Sequence, residues 1–67
     1  MLVLGRHARE TIYIRVGGEV VVIHVTEVDR GKVRLGFTAA EAVGIWRAEV
    51  APDSVVELVE DLMEAKR

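Results

Sequence analysis

Apolar and polar residues alternate through the first three quarters of the chain, and the spacing turns helical near its end. Leu2 and Leu4 alternate with Val3 and Gly5. In 9–15, Ile12 and Ile14 share one face while Thr11, Tyr13 and Arg15 share the other, the period-two pattern of a half-buried strand. Val16-Gly17-Gly18-Glu19 predicts a tight hairpin turn, because paired glycines reach positive φ without a Cβ clash. The β-branched run 20–28 follows. With Val21, Ile23 and Val25 facing the core, the next inward residue should be 27, yet Glu stands there and Val28 is apolar. A β-bulge near Thr26 absorbs this slip of phase. Asp29-Arg30-Gly31-Lys32 predicts a second hairpin turn, leading into 33–38, where Val33, Leu35 and Phe37 alternate with polar or small residues. After a loop at 39–41, the segment 42–47 reads as a fifth short strand. It has Val43, Ile45 and Arg47 on one side and Gly44 and Trp46 on the other.

Val55, Val56, Val59, Leu62 and Met63 then follow the stripe of an amphipathic helix. Ser54-Val55-Val56-Glu57 has the capping-box form, with Ser54 as N-cap and Glu57 at N3, while Pro52 can sit in the first turn or just before it, which leaves the start open by a few residues; Lys66-Arg67 at the end complement the helix dipole. The reading is one domain over 1–67, mainly β with a C-terminal α-helix. Its five short antiparallel strands lie within 1–47 and the helix within about 48–66.

Length changes this picture. A 67-residue chain without cysteine has no disulfides to stabilise it, and cores of this size supply only about 3 to 5 kcal/mol. Association is the remaining route, so a homo-oligomer, most simply a two-fold dimer, is expected. No apolar run approaches a membrane span and the first residues do not form a signal peptide, which predicts a cytoplasmic protein with no membrane partner. The net charge of −2 is unevenly spread. Residues 1–50 hold seven Lys or Arg against six Asp or Glu, whereas 51–67 hold two against five. An anionic partner should meet the first fifty residues.

The inventory for catalysis is poor. His7 and His24 are the two histidines, and the hydroxyls of Thr11, Thr26, Thr38 and Ser54 sit at strand or cap positions without a partnered base nearby in sequence. His24 lies mid-strand on the face opposite Val21, Ile23 and Val25. Glu57, Glu60, Asp61 and Glu64 have the spacing of a solvated helix face and include no histidine. Neither an enzyme, a cofactor nor a metal is expected.

Three pieces of the sequence, in order, resemble the carbon storage regulator (CsrA/RsmA) family. The opening Met1-Leu2-Val3-Leu4-Gly5-Arg6, followed by Glu10-Thr11-Ile12, resembles that family's amino-terminal signature; Lys32-Val33-Arg34-Leu35-Gly36 resembles its fourth strand; and Val43-Gly44-Ile45-Trp46-Arg47-Ala48-Glu49-Val50 resembles its fifth strand and the arginine ahead of its helix. The resemblance covers roughly the first fifty residues. It implies an intertwined homodimer with strand 1 of one chain beside strand 5 of the other. The composite edge would bind GGA motifs in hairpin loops or leader regions of mRNA, or in small regulatory RNA, and repress translation by blocking ribosome access. It also implies that a flagellar assembly factor or other protein antagonist is a possible partner.

The resemblance assigns an RNA-binding role residue by residue, and each role has a plainer counterpart. Arg47 matches the key arginine, whose planar guanidinium can fork onto phosphate or stack on a base, or else pair with Glu49 or a helix acid. Leu4 packs beside a base or belongs to the core. Arg6 and Arg34 match basic positions of the phosphate-facing rim, or are solvated strand charges. Val43 and Ile45 form an apolar floor under the bases or part of a dimer core. Trp46 stands where histidine is usual and either stacks on a base or packs in the interior. His7 replaces a common basic residue, and Arg9 a common glycine. Thr38, Ala39 and Ala40 with Glu41 replace the usual Asn-Ala-Pro-Lys at the rim, and a carboxylate beside phosphates is repulsive. These departures keep open an alternative, a CsrA-like protein-interaction module with weakened or lost RNA binding.

Overall fold

Two hairpins in series build the sheet. In the computed structural model, which describes residues 1–65, β1 (Thr11–Val16), β2 (Glu19–Asp29) and β3 (Lys32–Thr38) form an antiparallel sheet in the order β1-β2-β3. A 3-10 turn at Ala48–Val50 and the helix α1 (Asp53–Ala65) follow. Both predicted hairpin turns are present. Gly17 takes φ 60° while Gly18 does not need positive φ, as in a type II′ connection; Arg30 and Gly31 both have positive φ, at 25° and 76°, as a type I′ connection demands.

The register unites the apolar residues on one face. Ile14 pairs with Val21, Ile12 with Ile23 and Ile23 with Phe37, and Val25 pairs with Leu35. The ladder then shifts between Val25 and Glu27, so that Val28 meets Val33. Thr26 is the extra residue, at the position where the phase of the sequence demands it. His24 lies on the opposite, exposed face, with Nδ1 at 3.5 Å from the Thr11 hydroxyl.

Two segments expected as strands, 2–5 and 42–47, form no strand within the single chain. A strand exists only through a partner's backbone groups, and no other segment of this chain pairs with them. Consequently the outer edges of β1 and β3 are both open. The helix also begins earlier than its capping box suggests. The Pro52 carbonyl accepts hydrogen bonds from the N–H groups of Val55 and Val56, which places Asp53 in the first turn and Ser54 inside the helix rather than at its cap. Pro52 has a φ already suited to starting a helix, and Asp53 meets the positive end of the helix dipole, so the earlier start is favoured. Lys66 and Arg67 lie outside the described residues.

Burial is sparse. Among the described residues Val25 alone is buried, at 4% exposure, while Leu2, Val3, Leu58 and Met63 are largely exposed. The half-buried Val55 and Val56 face Ala48 and Ala51 across a small apolar groove.

Candidate functional site

A groove runs along β3, whose outer edge is open. The groove, of about 890 Å³, is lined by Thr26 of β2, by Lys32, Val33, Arg34, Leu35 and Phe37 of β3, and by Ile45, Trp46 and Arg47. Three cations and two aromatic rings therefore share one groove.

Trp46 owes its position to Gly44. Any Cβ at Gly44 would run into the far edge of the indole, so the ring lies over a bare backbone, on the side of 42–47 that alternation predicts for both residues. Arg47 precedes the 3-10 turn, its carbonyl accepting the Val50 N–H at 3.1 Å. Ion pairs among the described residues join Arg6 to Glu10 and Arg34 to Glu27; the Arg47–Glu49 pairing weighed from sequence is not formed.

Arg34 faces Glu27 across the ladder, with Nε 3.5 Å from Oε2. The Thr26 hydroxyl donates to the Arg34 carbonyl at 3.1 Å. At the amino-terminal end, Glu10 organises the segment before β1. Its Oε1 accepts the His7 N–H at 2.6 Å, its Oε2 lies 3.1 Å from Arg6 Nη2, and its own N–H donates to the His7 carbonyl at 3.2 Å. The His7 backbone hydrogen bond, assisted by the positive charge of Arg6, holds the Glu10 carboxyl below the ordinary glutamate value of 4.5. Backbone bonds from Arg9 N–H to the Val25 carbonyl and from Val25 N–H to the Glu10 carbonyl extend the β1–β2 pairing toward this cluster.

Of the residues singled out from sequence, Arg34, Ile45, Trp46 and Arg47 come together in the groove. Leu4, Arg6 and His7 stand apart from it, exposed in the leading segment. Thr38 ends β3; Ala39 and Ala40 begin the loop, and the Ala40 carbonyl accepts the N–H of half-buried Val43 at 3.0 Å. Glu41 is exposed in that turn. Sequence reasoning missed Lys32 and Phe37 as groove residues and Glu10 and Glu27 as partners of the rim arginines. The i,i+4 spacing of Arg6 and Glu10 was a usable signal; the approach of Glu27 to Arg34 depends on the bulge.

The described residues include no cluster of His, Cys, Asp or Glu suited to a metal, and no helix long and apolar enough to cross a membrane. A family model described as the CsrA global regulator protein family matches residues 1–55. Two curated relatives, the translational regulators CsrA of Helicobacter pylori strains Shi470 and P12, are each 44% identical to this chain over 57 residues. The match covers 85% of this chain and 71% of theirs. No solved structure gives a significant match. Members of this family are regulators, not enzymes. With the family model spanning most of its length and relatives this similar over most of theirs, the chain belongs to the CsrA family of global regulators.

Proposed function

We propose that this protein is a post-transcriptional regulator that binds GGA motifs in mRNA hairpin loops or leader regions, or in small regulatory RNA, and represses translation by blocking ribosome access. The observation that carries this reading is the joint placement of Arg34, Arg47, Ile45 and Trp46 in one groove. Single-stranded RNA is recognised where guanidinium groups meet phosphates and where aromatic or apolar surface packs against unstacked bases, and the groove offers both. The working unit is a cytoplasmic homodimer in which 2–5 of one chain pairs beside 42–47 of the other, completing five strands per chain. The open edges of β1 and β3 and the exposure of Leu2, Val3 and Leu4 support that pairing. Leu4, Arg6 and His7 would then join the site from the partner chain, with Thr38, Ala39, Ala40 and Val43 at its rim. The exposed Leu58, Leu62 and Met63 of α1 suit a protein antagonist of the flagellar assembly factor type.

The test is titration of a hairpin RNA with GGA in its loop against the same hairpin carrying GCA. Clear preference for GGA is expected, and Arg47→Ala should weaken that binding by about 1 to 3 kcal/mol in a variant that keeps its fold. The second reading, a protein-interaction module, is favoured by the exposed Glu41 in the loop after β3. Equal weak binding to both hairpins, or none, selects it.

A further inference from the structure

The bulge in β2 has a chemical consequence at the groove. In an unbroken antiparallel ladder the pair Val25–Leu35 would be followed by Thr26 opposite Arg34. Here Thr26 is the extra residue, its hydroxyl donating to the Arg34 carbonyl, and Glu27 becomes the partner of Arg34. The Glu27 carboxylate reaches the Arg34 guanidinium at 3.5 Å, both side chains being more than half exposed. The residues lining the groove itself include Lys32, Arg34 and Arg47 and no acid. Glu27 therefore brings a negative charge, from just outside, onto one of the cations that the groove presents to a polyanion.

We propose that Glu27 is an internal competitor for the phosphate site at Arg34, occupying the guanidinium in the free protein and yielding it to an RNA phosphate on binding. An exposed ion pair is weakly held and readily exchanged, so it lowers affinity without closing the site. After exchange the carboxylate still stands beside the phosphate and repels it. Because phosphate contacts carry no base identity, Glu27 sets the strength and salt dependence of binding and leaves base preference alone. This inference rests on the RNA-binding reading above.

The experiment titrates the GGA and GCA hairpins with wild type, Glu27→Gln, Arg34→Gln and the double variant, each checked for fold by circular dichroism. Glu27→Gln should tighten binding of both hairpins by about two- to tenfold at low salt, with the slope of log K against log salt steepened by up to about one contact per site. The gain should vanish in the Arg34→Gln background and shrink at high salt. Should Glu27→Gln not fold, the β-favouring Glu27→Thr removes the same charge and is held to the same expectations. If wild type prefers GGA over GCA and removal of the Glu27 charge changes nothing, the RNA-binding reading stands and this inference is overturned. A gain that survives in the Arg34→Gln background overturns it as well. Binding by neither wild type nor the Glu27 variants sinks both readings, whereas binding gained only on removing the charge supports the competitor and shows why the native chain binds poorly.

Discussion

Arg9 takes φ 70° at the third position of the turn closed by the Glu10 N–H and the His7 carbonyl, a conformation that suits glycine. A non-glycine residue there costs roughly 1 to 2 kcal/mol from the approach of Cβ to the carbonyl. The resemblance supplies glycine as the usual residue at this position. The surrounding bonds, from Arg9 N–H to Val25 and from the Glu10 carboxylate to His7 and Arg6, hold the turn despite that cost. Arg9→Gly removes the clash but adds about 0.5 to 1 kcal/mol of backbone entropy to the unfolded chain, and the first effect is the larger. Stability should rise by about 0.5 to 1 kcal/mol, read as a shift of the urea midpoint at fixed protein concentration. A lower midpoint with an unchanged slope would mean that the turn is not held as described.

At the scale of elements, the segment 42–47 depends on a stack of indole over bare backbone. Gly44 does not occupy the left-handed region, so an alanine there strains nothing in the main chain; the atoms nearest its Cβ belong to the far edge of the Trp46 ring. Gly44→Ala should therefore swing the ring away while costing less than about 1 kcal/mol in stability. Trp46 is the single tryptophan, which makes its fluorescence a direct readout. Emission should move to longer wavelength and acrylamide quenching should increase, with the far-ultraviolet circular dichroism unchanged. An unaltered spectrum would place the ring elsewhere in solution and remove it from the groove wall.

At the scale of the whole molecule, the single chain is open. Its radius of gyration is 13.6 Å, against about 11 Å for a compact domain of this length. Val33, Leu35 and Phe37 of β3 and Val59, Leu62 and Met63 of α1 remain substantially exposed, so apolar surface that should drive folding still faces water. A second copy that covers it would make folding and association one event. Sedimentation should then show a two-chain species, and each tenfold dilution should lower apparent stability by about 1.4 kcal/mol per mole of dimer. A folded monomer whose unfolding midpoint is independent of concentration would refute the interleaved dimer.

Local rules in the sequence determined the two hairpins, the bulge and the presence of the helix. Gly17-Gly18 and Arg30-Gly31 specify turns within four residues, the apolar phase slip at Glu27 requires one extra residue, and a stripe from Val55 to Met63 has meaning only as a helix. The regulator family, too, was legible in the order of three short motifs. Other features depended on relations between distant segments. Whether Pro52 or Ser54 starts the helix turns on a balance of less than a hydrogen bond or two, and the backbone bonds decide it in favour of Pro52. The groove joins Lys32 to Phe37 with residues 45–47 through chain reversal, which no periodicity encodes. The opposition of Glu27 and Arg34 likewise arises only once β2 and β3 are in register. A strand's period shows which side chains share a face, but its partner is selected by backbone pairing in three dimensions, and for 2–5 and 42–47 that selection is not made within one chain.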